Sequence, residues 1–160
     1  MDKEKFTRLV RKEQEPLRRV LLALCLGDRA LADDLAQEAL VKAYLSCGGF
    51  RDEGKFGAWL YRIAYHTFLD HQRSLRPTAP LDRAGGMAGE TDSDGAFRYE
   101  ALYAALAGLP GHERTALLLF YIKGYQVREI AAIMECSEDA VKKQLQRGRE
   151  HLKLKLGKER

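Results

Sequence analysis

The sequence predicts an all-α protein made of two small helical domains joined by a flexible linker. Three observations carry that expectation. Apolar residues recur at helical spacing through most of the 160 residues, and no stretch alternates strictly enough to be a strand. The segment Pro77–Gly95 is rich in Pro, Gly, Ser, Thr and Asp and cannot bury enough apolar surface to fold. The helical pattern is complete on both sides of that break. This sets residues 1–76 and 98–160 as the domains and 77–97 as the tether. Domains this small are individually marginal and gain from a partner.

In chain order, Lys3–Leu26 reads as one helix, or as two meeting near Pro16, ended by Gly27. A second helix runs from Arg29 to Leu45 and stops at Gly48-Gly49. A third runs from Lys55 to Leu75 and stops before Pro77. The tether is acidic: from Ala84 to Gly95 its only charges are Glu90, Asp92 and Asp94. Beyond it the periodicity predicts helices over 97–107, 111–123, 126–134 and 137–156.

Lys and Arg exceed Asp and Glu by 27 to 23, and the excess is concentrated at one end. Ser137–Arg160 holds eight Lys or Arg against four Asp or Glu, which equals the +4 of the whole chain. Basic ends of this kind commonly meet phosphate. The N-terminus is charged and amphipathic, unlike a signal peptide, and no apolar run approaches the ~18 residues that would span a bilayer. Cys25, Cys47 and Cys136 are odd in number and far apart, and read as reduced thiols of a cytoplasmic protein. Cys25 and Cys136 fall at core positions, whereas Cys47 flanks the Gly-Gly turn and is expected to be more exposed.

No catalytic site, metal site, cofactor or small-molecule substrate is indicated. His66, His71, His112 and His151 lack ligand spacing; the first two lie about 140° apart on a helix. Glu90–Gly95 imitates the start of a calcium loop, but its twelfth position is Ala101 rather than Glu. Phosphate loops, nucleophile elbows and zinc motifs are absent from the sequence.

Three constellations remain. The first is Phe50–Arg73, with six aromatic residues among basic and amide side chains. Phe56, Leu60, Ile63, Ala64 and Thr67 form its apolar stripe. Arg62, His66, Leu69 and Arg73 share the opposite face, with Trp59 and Tyr65 at the flanks. Rings beside cations suit a single strand of nucleic acid, because bases stack while cations hold phosphates. The second is Asp33–Tyr44, whose outer face brings together Asp34, Gln37, Glu38, Val41 and Leu45. Carboxylates interleaved with Val and Leu resemble a docking ridge more than a solvated face.

The third is Gly124–Arg149, which has the pattern of a helix-turn-helix. Ile130, Met134, Val141 and Leu145 supply its contacts, and Ala131 allows a close crossing. Ser137 suits the N-cap, with Glu138 and Asp139 against the helix dipole. Lys142, Lys143, Gln146, Arg147 and Arg149 point outward, a set suited to base edges and phosphates in a major groove. The turn residue is Glu135 where Gly is usual, at a cost of ~1–2 kcal/mol for a left-handed backbone. A stand-alone helix-turn-helix regulator would share this block, but leaves the aromatic helix and the ridge unexplained.

Gly27–Glu38, Phe56–Ala64 and Leu109-Pro110 leading into the helix-turn-helix, in that order and spacing, resemble a bacterial alternative sigma factor. The class is the extracytoplasmic-function (ECF) one, which keeps only regions 2 and 4. The resemblance covers nearly the whole chain apart from the tether. It implies that Asp34, Gln37 and Glu38 sit on the ridge that docks on core RNA polymerase. It implies that Phe50, Arg51 and Lys55 of the loop, with Trp59, Arg62, His66 and Arg73 of the helix after it, take the unpaired −10 strand of promoter DNA. Lys143, Gln146 and Arg147 match positions that meet the −35 element. An anti-sigma factor is a usual third partner. The sequence departs from the pattern at His66, where Asn is common, at Glu135, and at Gly148, where Ala is usual and Gly costs ~1 kcal/mol.

Overall fold

A computed structural model describes residues 2–50, 55–75 and 93–158. Helix α1, Lys3–Leu24, is capped by Asp2, whose carboxylate accepts from Lys5 N at 2.8 Å. Pro16 lies inside α1 without dividing it. An interior Pro costs ~3 kcal/mol or more. Leu17, Val20, Leu21 and Leu24 follow it on one buried face, each worth roughly 1.5–3 kcal/mol, so burial wins. The helix closes by donation from Leu26 N to Ala23 O at 3.0 Å and from Gly27 N to Leu22 O at 2.9 Å. Leu26 takes the left-handed position at φ 58°, one residue before the expected Gly27. Gly27 has φ 89° and a second constraint: an added Cβ would lie 2.9 Å from the Tyr103 ring.

Helix α2, Arg29–Ser46, is capped by Asp28, and a single 3-10 turn, Cys47–Gly49, follows it. That turn folds Cys47 under the bundle, so this thiol is buried rather than exposed. Helix α3, Phe56–Leu75, completes the first group. Ala36, Ala39 and Ala43 are wholly buried, and their small side chains let α2 sit close against α1 and α3.

The second group holds α4 (Ser93–Ala107), α5 (Gly111–Tyr121), α6 (Val127–Met134) and α7 (Glu138–Lys158). Helix α4 starts before the expected Phe97, so residues 93–97 of the tether are helical; residues 77–92 lie outside those described. The α6–α7 turn follows the sequence pattern closely. Ile130, Ala131, Met134, Val141 and Leu145 are all buried. Glu135 is left-handed at φ 57°, ψ 50°. Ser137 Oγ accepts from Ala140 N at 3.0 Å. Gly148 is buried where α7 crosses α5, and an added Cβ would stand 2.7 Å from Leu117 Cδ1.

The two groups pack on each other, α5 against α1 and α6 against α3. Thr115 and Leu119 of α5 close an apolar seam with Leu17, Leu21 and Leu24 of α1. The junction is tied by Arg114, a buried guanidinium donating to Leu24 O (2.8 Å), Leu106 O (3.1 Å) and Leu109 O (3.2 Å). Burial lowers its pKa, but an arginine keeps its charge.

Two stability outcomes follow from this packing. Arg114→Leu strands three carbonyls at the junction, and should lower unfolding free energy by about 2–4 kcal/mol in urea titrations. Gly148→Ala gains about 1 kcal/mol of helix propensity but overpacks α7 on Leu117. The same titration should show a net loss of roughly 1–2 kcal/mol; a gain would mean that Leu117 yields freely.

Candidate nucleic-acid interface

Phe56 fixes the aromatic end of α3. Its ring is buried edge-on to Phe6, with centroids 5.9 Å apart, and this leaves Trp59 at the rim. Phe50 stacks on Trp59 with centroids 4.6 Å apart and planes within 17°. It also meets Phe56 edge-on at 6.2 Å. Phe50 is therefore half-buried, with more hold on the core than its place beside a Gly-Gly turn suggested. Together with Lys55, Trp59 and Arg62 it lines a cleft of about 510 Å³, which Ala132 of α6 bounds on the far side. The cleft thus offers a ring surface with two cations at its edge. Arg51 lies outside the described residues.

Further along α3, Arg62, His66 and Arg73 are exposed on one face, as their spacing requires, while Leu60, Ala64 and Thr67 face inward. Thr67 satisfies its hydroxyl on Ile63 O at 2.9 Å. Among the described residues Arg73 pairs with Asp70, at 3.2 Å. Such an exposed pair is worth at most ~1 kcal/mol and yields readily to a phosphate. His66 is engaged differently: its Nε2 lies 2.6 Å from Glu135 Oε1, in the turn of the helix-turn-helix. Two of the positions at which the sequence departs from the pattern it resembles therefore meet each other. Burial holds the neighbouring Tyr65 hydroxyl above its usual pKa range, so it stays neutral.

On α2, Asp34, Gln37, Glu38, Val41 and Leu45 are all exposed along one face. Leu45 retains 76% of its surface and Val41 56%, so two aliphatic side chains one turn apart stand exposed on this face. Glu38 pairs with Lys42 at 2.9 Å. The sequence reading missed Tyr44, which is 41% exposed beside the ridge and rests edge-on against Phe6.

On α7, Lys142, Lys143, Gln146, Arg147 and Arg149 are exposed, and buried Val141 and Leu145 fix that orientation. They are not equally available. Gln146 donates to Glu150 at 3.3 Å. Arg149 Nε donates to Tyr121 Oη at 2.7 Å, and its guanidinium lies over the Phe120 and Tyr121 rings. Arg149 is thus anchored to the end of α5, whereas Lys142, Lys143 and Arg147 extend from the open face. Also missed were Arg114 and the pair Glu13–Lys123, which bridges the two helical groups. Arg114 shares a helical face with Leu117 and Leu118, and a charge on an apolar stripe is the signal that could have found it.

Among the described residues no cluster of His, Cys, Asp or Glu could hold a metal, and no helix is long and apolar enough to cross a membrane. Burial pushes the Cys25 thiol up to about 12, which keeps it protonated and unreactive.

Known proteins share this arrangement. Residues 9–78 match the family model Sigma-70 region 2, and residues 99–152 match Sigma-70, region 4. The chain is 33% identical over 146 residues to the ECF RNA polymerase sigma factor SigW of Bacillus subtilis, covering 82% of this chain and 78% of SigW. It is 31% identical to the ECF RNA polymerase sigma factor SigM of Mycobacterium tuberculosis, covering 98% and 79%. By structure it resembles the sigma factor RpoE solved with the anti-sigma factor NepR from Bartonella quintana. That match has a TM-score of 0.78 at 24% identity and covers 97% of this chain and 98% of RpoE. CnrH, solved with the cytosolic domain of CnrY, matches with a TM-score of 0.72 over 99% and 92% of the two chains. With its ordered pair of matches and its helix-turn-helix, the chain belongs to the sigma-70 family, as an ECF RNA polymerase sigma factor with regions 2 and 4.

Proposed function

We propose that this chain binds core RNA polymerase through the outer face of α2 and directs it to promoters. In this reading α7 reads the −35 duplex, and the Phe50–Trp59 cleft with the outer face of α3 receives the melted −10 strand. The observation that carries it is the presence, in one chain, of a cation-edged aromatic cleft and a separate recognition helix. Rings suit unpaired bases, whereas a basic helix suits a major groove. A stand-alone regulator of duplex DNA would have no use for the exposed Val41 and Leu45.

The chain needs no catalytic residue for this work. A surface that binds unpaired bases better than paired ones shifts the melting equilibrium by that difference, without ATP. The two readers bind weakly alone; held on one polymerase, the second contact becomes intramolecular. The site of action is the cytoplasm. An anti-sigma factor is proposed as a further partner, by analogy with the complex of RpoE and NepR. Run-off transcription with core polymerase on a genomic promoter library tests the whole reading, and failure to start transcripts at any promoter refutes it.

Two substitutions test its parts. Asp34→Ala, Gln37→Ala and Glu38→Ala together should abolish co-purification with core polymerase while circular dichroism is unchanged, because all three side chains are exposed. Co-purification at the wild-type yield removes α2 as the docking face. Phe50→Ala removes a ring whose stacking on a base is worth ~1–3 kcal/mol. Permanganate footprinting should then show slower opening of duplex promoters, rescued by a pre-melted −10 bubble. Opening at the wild-type rate would make Phe50 purely structural.

A further inference from the structure

The end of α5 carries a second group of rings and a cation, beside α7. Phe120 and Tyr121 meet edge-on, with centroids 5.0 Å apart. The Arg149 guanidinium lies 5.5 Å from the Phe120 centroid and 5.6 Å from that of Tyr121. Its Nε donates to Tyr121 Oη at 2.7 Å. Tyr121 is 62% exposed, so its ring and hydroxyl are open to solvent. Gly148 makes this meeting possible. Leu117, one turn before Tyr121, stands where any other residue at 148 would place its Cβ. Helix α7 therefore comes closest to α5 immediately before Arg149.

We propose that Tyr121 and Arg149 form a clamp for one backbone phosphate of the −35 duplex, at the flank of the recognition helix. The clamp rests on the assignment of α7 to that duplex. At 100° per residue Gln146 is the centre of the open face, with Lys143 ~60° to one side and Arg149 ~60° to the other. A major groove is about 12 Å wide and a helix with its side chains about 10–12 Å across. A helix seated there sets its centre against base edges and its flanks against the phosphate walls. Arg149 is also two turns beyond Lys142, ~10 Å along the axis. Recognition helices meet bases mainly through their N-terminal residues. Both coordinates turn Arg149 from base edges to backbone.

The chemistry agrees. With Nε held by Tyr121, the two Nη groups remain as a planar fork that fits the two non-bridging oxygens of a phosphodiester. Among the described residues Arg149 has no carboxylate partner. Tyr121 accepts through its oxygen, and its O–H can still donate to the same phosphate. The two rings restrict the guanidinium before DNA arrives, so less side-chain freedom is lost on binding. Tyr121 lies outside the helix-turn-helix pattern, and the packing of α7 on α5 brings it to this face.

The full-length chain with core polymerase, bound to a duplex promoter over a range of salt concentrations, tests the clamp. Arg149→Ala should weaken binding about ten-fold and lower the slope of log affinity against log salt by about 0.9, one phosphate contact. The loss should be equal at every single-base variant of the −35 element. Tyr121→Phe keeps the ring and removes the hydroxyl; it should lose about three-fold with the slope unchanged. Arg149→Lys keeps the charge without the fork or Nε, and should hold the slope while losing several-fold. Tyr121→Phe should then cost less in that background than in the wild type. Both side chains are exposed, so thermal unfolding followed by circular dichroism should move little. An unchanged slope for Arg149→Ala, or a loss confined to one −35 base pair, overturns the clamp. Wild-type affinity for Tyr121→Phe overturns the pairing of the two residues. If Lys143→Ala and Arg147→Ala also leave affinity and slope unchanged, α7 is not on the duplex, and the reading of its open face fails with the clamp.

Discussion

A helix leaves its last carbonyls unpaired, and this fold solves that problem at two helix ends with one side chain. Arg114 reaches Leu24 O at the end of α1, Leu106 O near the end of α4, and Leu109 O in the turn before its own helix. A cation there also suits the negative ends of the α1 and α4 dipoles. No carboxylate is needed, because three carbonyls supply the solvation that water would have given. The rest of the arrangement hangs on this junction. It sets α5 against α1, which brings Lys123 to Glu13, and it carries α6 across to α3.

Once α6 lies on α3, one helix has three neighbours to satisfy. Its inner face, Leu60, Ala64 and Phe68, belongs to the bundle. Gly57 and Tyr61 take the loop that carries Tyr125. Among the described residues His66, rather than Arg62 or Arg73, stands against a carboxylate of the second group. The difference in chemistry is informative. The seam of Leu17, Leu21 and Leu119 is apolar and close to the junction, whereas the contacts nearest the aromatic cleft are ion pairs and ring edges. Lys123–Glu13 is largely covered, but His66–Glu135 is exposed, and an exposed contact of that kind contributes little. The interface is therefore firmest beside Arg114 and weakest where the cleft opens.

Much of this was legible in the sequence because it is local. A 3.6-residue period reports which face a helix buries, and the expected bounds of α2 and α3 hold to within a residue. Ile130, Met134, Val141 and Leu145 are four such readings, and Ser137 as a cap is another. Exposure of the α2 ridge and of the α7 cations follows from the same period. What the sequence concealed is non-local. Arg114 and Leu24 are separated by 90 positions, Lys123 and Glu13 by 110, and His66 and Glu135 by 69. Gly148 read as a weak point in a helix until Leu117 stood opposite it. Phe50 belongs with the rings because Trp59 and Phe56, on the next helix, draw it inward.

The placement of glycine and glutamate then acquires a common logic. Glycine stands where helices or loops must touch backbone, at Gly27 under Tyr103, at Gly57 under Tyr125 and at Gly148 under Leu117. Glu135 stands where glycine would be easiest, and it accepts backbone strain of ~1–2 kcal/mol there. An exposed side-chain contact, charged or not, returns at most ~1 kcal/mol, so His66–Glu135 does not repay that strain. On stability alone the position favours glycine. The Glu135 side chain nevertheless joins the turn of the helix-turn-helix to His66 of α3, 69 positions away, which a glycine could not do.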